Sequence, residues 1–239
     1  PEQKRDATRD EQRNDLAVWH LETGRAVMLT DETLDRATVR AGGRVVTAID
    51  DDPYAFGGMF GRPAEDVYRI DVQTGERLKI VEGTSFPWGV SPEGDFLAHF
   101  GDGAYHVVDV ATGATRVISG DVDVELNNVD FDHPVAEKPP FGLAGWTEDN
   151  RSVLVYDKYD VWQLALDGSA KKLTEGAADQ IVHRYANTDP DAGNFGRRAD
   201  VDRSHYIDLS EDVYLSVRGE WTLNHGYARL RAGRVEQLV

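Results

Sequence analysis

The residues that could carry chemistry in this 239-residue chain are few and poorly grouped. A serine hydrolase needs G-x-S-x-G, which lifts its serine out of a strained strand-to-helix turn. The nearest approach, Gly89-Val90-Ser91-Pro92-Glu93, lacks the closing glycine and sits in a repeated turn, so Ser91 reads as structural. Glycoside cleavage needs two carboxylates roughly 5–9.5 Å apart. The strands expected to lie innermost, 37–41, 85–90, 142–146 and 205–209, supply a single acid, Asp208. Asp189 to Asn194 and Asp121 to Glu125 offer oxygen ligands of the kind Ca²⁺ accepts, without the late bidentate Glu of a complete loop. Asp50-Asp51-Asp52-Pro53 reads as a turn after a strand, and the seven His show no HExxH and no close pair. No catalytic residue, metal or cofactor is therefore expected. Arg184 and Tyr185, in VHRYANTDPD ahead of a long polar insertion, are the candidates for substrate binding.

Composition narrows the partners. The chain holds 43 acidic and 26 basic residues, a formal charge of -17 and a pI near 4.7. Nucleic acid and anionic membranes are poor partners for that balance, because both are bound through basic surfaces. The 28 Asp against 15 Glu and 20 Arg against six Lys read as a well-solvated surface. With no Cys, disulfides, thiolate metal sites and a Cys nucleophile are ruled out. No apolar run approaches the roughly 18 residues of a spanning helix. The chain opens on Pro1, so the natural start, with any targeting segment, is expected upstream.

The elements that must position these residues are strands. Residues 1–15 are almost devoid of apolar side chains and read as a solvated arm. From Leu16 onward, short runs with period-2 alternation are broken by Gly, Asn and Asp turns. One turn recurs as LETG (21–24), VQTG (72–75), ATG (111–113) and LDG (166–168), its glycines 51, 38 and 55 residues apart. A second, AGGR (41–44), SPEG (91–94) or TEDN (147–150), precedes each later copy. A four-stranded unit repeating at about 40–50 residues is the mark of a β-propeller blade. The expected fold is an all-β propeller segment of about four and a half blades, incomplete or irregular as a ring. Residues 16–29 give a half blade, followed by 36–82, 86–119, 142–174 and 205–238, with a polar insertion at 188–203. Residues 181–186 could add one strand beside the 16–29 hairpin. Trp19, Trp88, Trp146, Trp162 and Tyr159 recur at equivalent places and are expected to fill the wedges between sheets.

GVSPEGDFLAHF (89–100) and GWTEDNRSVLVY (145–156) resemble the repeat phrase of TolB-type propellers, and the Asp-x-x-Thr-Gly turns at 71–75 and 109–113 belong to the same pattern. The run Tyr156-Asp157-Lys158-Tyr159-Asp160-Val161-Trp162 resembles the Y-D-[RK]-Y-D-[IV]-W phrase of a bacterial branch of the prolyl oligopeptidase family of serine peptidases. FDHP (131–134) and YIDLSEDVYLSVRGEWTLNHGYARL (206–230) are similar to flanking parts of that branch.

The resemblance implies the propeller of such a peptidase, without its catalytic domain. In the family an α/β-hydrolase domain carries Ser, Asp and His, and the propeller covers the active site and filters peptides by size. The implied role is a non-catalytic gate and scaffold, with the hydrolase domain and the peptide as partners, in a periplasmic or secreted protein. Dipeptidyl members hold the substrate amino terminus with a pair of glutamates, and no adjacent Glu pair exists here. The alternative is a TolB-type propeller that binds proteins, with a five-bladed glycosidase as a minor third reading. An incomplete ring leaves blade faces open, so self-association or a partner fragment is expected.

Overall fold

The computed structural model describes residues 14–34, 36–40, 43, 45–135, 137–188 and 206–239. The expected arm and the insertion at 188–203 lie almost wholly outside the described residues. Within them the chain is all-β. Strands β1 (Ala17–His20) and β2 (Arg25–Met28) form a two-stranded hairpin. The first four-stranded sheet is β3 (Arg36–Arg40), β4 (Val45–Asp50), β5 (Glu65–Ile70) and β6 (Arg77–Thr84). The second is β7 (Phe86–Val90), β8 (Phe96–Gly101), β9 (Ala104–Asp109) and β10 (Thr115–Val117). The third is β11 (Leu143–Trp146), β12 (Ser152–Tyr156), β13 (Val161–Ala165) and β14 (Ala170–Lys172). The fourth is β15 (Ile181–Tyr185), β16 (Val213–Gly219), β17 (His225–Arg231) and β18 (Arg234–Gln237). Each sheet is an antiparallel meander in sequence order.

Burial follows the number of neighbours a sheet has. In the third sheet, β12 (Ser-Val-Leu-Val-Tyr) is buried at all five positions, as a strand covered on both faces must be. In the fourth, β16 alternates and buries Val213, Leu215 and Val217 while Ser216 and Arg218 face out. Four apolar clusters fill the seams. Val27, Leu29 and Leu34 pack on Val46 and Ile70, and Val67 and Val81 on Leu97 and Val108. Phe100 and Tyr105 pack on Trp146 and Val155, and Leu154 and Val161 on Leu215 and Leu230. Among the described residues no buried cluster joins the fourth sheet to the hairpin. The sheets form an open arc.

The repeated turns have the geometry their residues demand. Gly24, Gly75, Gly113 and Gly168 all take positive φ, as do Gly94 and Asn150 in the other turn type. At Gly75 a Cβ would stand 2.9 Å from the Met28 carbonyl oxygen, so the turn also needs glycine for the approach of the hairpin. Asp71 accepts from the Gln73 and Thr74 N–H groups, and these bonds hold its carboxyl below the usual range.

One residue, Ser85, separates β6 from β7, so the sheet-to-sheet connections and the β4–β5 type of connection share one end of the arc. The repeated turns occupy the other end. Contacts between neighbouring sheets agree: Ser85 Oγ donates to the Pro63 carbonyl at one end, and the Glu93 N–H donates to Asn150 Oδ1 at the other.

The fourth sheet departs from the sequence expectation. Its innermost strand is β15, not 205–209, and β15 pairs with β16 rather than with the 16–29 hairpin. Residues 206–209 lie in the long β15–β16 connection, where Ile207 makes a single parallel bridge to Thr147. The long connection breaks the repeat spacing, and spacing alone assigns the wrong segment.

Candidate functional site

At the end of the arc that carries the sheet-to-sheet connections, the Tyr156–Trp162 run closes the β12–β13 connection as a hydrogen-bonded knot. Asp157 is buried; its Oδ1 accepts from the N–H groups of Tyr159 (2.7 Å) and Asp160 (2.6 Å). Its Oδ2 accepts from Trp162 Nε1 at 2.8 Å. Asp160, fully buried, takes the Thr174 hydroxyl at 2.7 Å and the Gly176 and Ala177 N–H groups at 2.5 and 3.3 Å. A buried carboxylate is tolerated only with such a set of donors. The two aspartates thus fix the turn and the first residues of the connection to the fourth sheet.

The tyrosines of the run reach across the seam. The Tyr185 N–H donates to Tyr156 Oη at 3.0 Å, and the His183 N–H donates to the Tyr159 carbonyl at 2.7 Å. The Tyr159 phenol donates to Glu220, which also pairs with Lys158 Nζ at 2.9 Å. These contacts, the phenol first and Lys158 second, hold the Glu220 carboxyl below its ordinary value. The same carboxylate raises both Lys158 and Tyr159.

Both candidate binding residues sit at this knot, on the innermost strand β15. Arg184 Nη1 donates to the His183 carbonyl at 2.7 Å, and Nη2 donates to the carbonyls of Asp157 (3.0 Å) and Lys158 (3.1 Å). Its guanidinium carbon lies 4.5 Å from the centroid of the Tyr156 ring. Carbonyl dipoles and an aromatic face fix the direction of the fork. Tyr185 packs against the core of the same seam.

The other sequence candidates do not converge. Ser91 is fully buried in its turn, with Oγ accepting from the Phe96 N–H. Asp208 caps a turn by accepting from the Ser210 N–H at 2.8 Å and stands on no inner strand. Among the described residues no three His, Asp or Glu stand close enough together to hold a metal; Asp189 to Asn194 lie outside them. His99 and His106 stack at 4.8 Å across the adjacent strands β8 and β9. A further expectation needs correction. Trp19 is 68% exposed rather than wedged between sheets, because the hairpin is terminal. Sequence reasoning also missed Glu220, whose contact with Tyr159 is 61 residues distant and has no local signature.

No family model and no curated protein matches this chain. Solved structures do. A TolB-type protein of Agrobacterium tumefaciens is similar at 12% identity and a TM-score of 0.47, over 95% of this chain and 74% of that one. Dipeptidyl peptidase 4 of Porphyromonas gingivalis is similar at 9% identity and a TM-score of 0.54, over 95% of this chain and 36% of that one. The acylaminoacyl peptidase of Pyrococcus horikoshii follows at 11% identity and 0.46, over 87% of this chain and 32% of that one. The fold is a β-propeller arc. At 9% identity the likeness to the dipeptidyl peptidase speaks for fold alone, and this chain spans about a third of each peptidase chain.

Proposed function

We propose that this propeller is the non-catalytic portion of a prolyl oligopeptidase-like serine peptidase, a gate and scaffold for an α/β-hydrolase domain. The observation that carries the reading is the Tyr156–Trp162 knot. The phrase that resembles the peptidase branch is a working unit: its two aspartates, both tyrosines and Trp162 each make a defined bond at the turn or the seam. Arg184 and Tyr185, held at the inner edge of that seam, are the residues proposed to meet the peptide. With no G-x-S-x-G in the 239 residues, the nucleophile belongs to the hydrolase domain. The same reading makes the protein periplasmic or secreted.

Fluorophosphonate labelling and cleavage of post-proline peptides test this. The isolated chain is expected to stay unlabelled and inert, and the parent to be labelled on a serine downstream. Stoichiometric labelling of any serine within 1–239 overturns the reading. The second reading, a TolB-type module that binds proteins, draws support from the apolar side chains Phe56, Met59 and Phe60, all more than 60% exposed.

A further inference from the structure

Arg184 is a half-buried cation whose contacts are all with neutral groups. Its Nη1 and Nη2 donate to the carbonyls of His183, Asp157 and Lys158, which takes three of the five N–H groups of a guanidinium. Among the described residues no carboxylate forms an ion pair with it. The buried carboxylates of the knot are committed elsewhere, Asp157 to two N–H groups and the Trp162 indole, Asp160 to Thr174, Gly176 and Ala177. Burial holds the guanidinium below its ordinary value and the like charge of Arg218 adds to that, while Tyr156, Asp157 and Asp160 act against it through space.

The register of the fourth sheet sets a second cation beside it. Arg184 lies opposite Ser216, and Val182, two residues back, lies opposite Arg218. Paired residues share a face, as do residues two apart on a strand, so Arg184 and Arg218 start from the same face of neighbouring strands. That face turns away from the third sheet, with Leu215 and Val217 buried in the seam and Ser216 and Arg218 exposed. Ser216, small and bonded through Oγ to the Arg184 carbonyl, is flanked on its other side by Tyr227, 56% exposed. Arg218 acts on Glu220 only after the Tyr159 phenol and Lys158, which hold that carboxylate. Two guanidiniums so placed repel until an anion joins them, and their planar forks match carboxylate geometry. We propose that Arg184 and Arg218, with the Tyr227 phenol beside them, receive a carboxylate of the bound peptide. This rests on the peptidase reading for the peptide as ligand and adds the chemistry that selects it. A C-terminal carboxylate and an acidic side chain share that chemistry, and the test separates them.

The test is isothermal titration calorimetry of the whole chain with three short acetylated peptides. They are Ala-Pro-Ala-Ala with a free C-terminus, and Ala-Pro-Glu-Ala and Ala-Pro-Gln-Ala as C-terminal amides. One or both carboxylate peptides are expected to bind about tenfold or more tighter than the neutral Gln peptide, and which of them does so names the source. Arg218→Gln, at an exposed position, should remove that preference. Arg184→Lys should remove it too, because it keeps a charge but loses the fork. Arg234→Gln, on the outer strand β18, should keep it. Circular dichroism and melting confirm folding, and Arg218→Gln decides alone if Arg184→Lys does not fold. Equal or absent binding of the three peptides, or a preference that survives Arg218→Gln, would overturn the proposal. So would acetate that binds as tightly as the peptides, an adventitious ion only. None of these results touches the peptidase reading, which falls on serine labelling within 1–239 or on a native chain that ends near Val239.

Discussion

The Trp162 indole donates to the buried Asp157 carboxylate at 2.8 Å, joining the end of the Tyr156–Trp162 run to its beginning. The turn is therefore closed by its own side chains before it meets the fourth sheet, and Asp160 then carries the connection onward through Thr174 and Gly176. Stability at this seam should depend on those carboxylates more than on any surface ion pair.

Asp160→Asn tests that dependence. The amide keeps the size of the carboxylate but turns a donor toward N–H groups that need an acceptor. A loss of about 3 kcal/mol is expected, from charge-assisted bonds removed and donors left unpaired. A urea midpoint shift gives the value, and a change below about 0.5 kcal/mol would contradict the role assigned to Asp160.

Acid sensitivity should begin well above the carboxylate range. Burial, with the neighbouring His106 second, pushes His99 down to about 4, and burial lowers His183 as well. Between about 6.5 and 4 the unfolded chain binds a proton at His99 that the folded chain refuses, so stability falls as pH falls through that window and is fully present above it. The effect of His99 is roughly 3 kcal/mol. His99→Phe should flatten that part of a melting-temperature profile. The depressed carboxylates Asp71 and Asp109 act lower, where protonation removes their turn bonds.

Much of this fold could be read from turns. The positive φ at Gly75, Gly94 and Asn150 answers directly to residue type, and the repeat of those turns set out three of the four sheets. The fourth resisted because its inner strand, Ile181–Tyr185, is parted from Val213 by a connection that obeys no repeat. At the site, Arg184 and Tyr185 were visible as residues, whereas their partners Tyr156 and Asp157 belong to another sheet. Close backbone approach is the least visible property of all.

Gly176 shows that last point. Its φ is ordinary, yet a Cβ there would stand 2.0 Å from the Ile181 carbonyl oxygen and 2.5 Å from His183 Nδ1. Gly176→Ala should therefore cost about 2–3 kcal/mol through forced displacement of β15. Gly168→Ala pays for a positive φ but meets open space, and a thermal melt should show it to be the milder change.

The isolated arc should associate. Trp19 and Met28 are 68 and 56% exposed on the terminal hairpin, which among the described residues has no sheet on its outer face. Light scattering coupled to size exclusion is expected to give a mass above 26.5 kDa that rises with concentration. Trp19→Ser with Met28→Ser should move it toward the monomer. A monodisperse monomer of the unmodified chain at high concentration would argue against open faces.

The peptidase reading is tested most directly by the intact mass of the native protein, purified from its source and sequenced through Val239. A polypeptide well above 26.5 kDa, whose downstream peptides include G-x-S-x-G, is the predicted result. A native chain that ends near Val239 would contradict it.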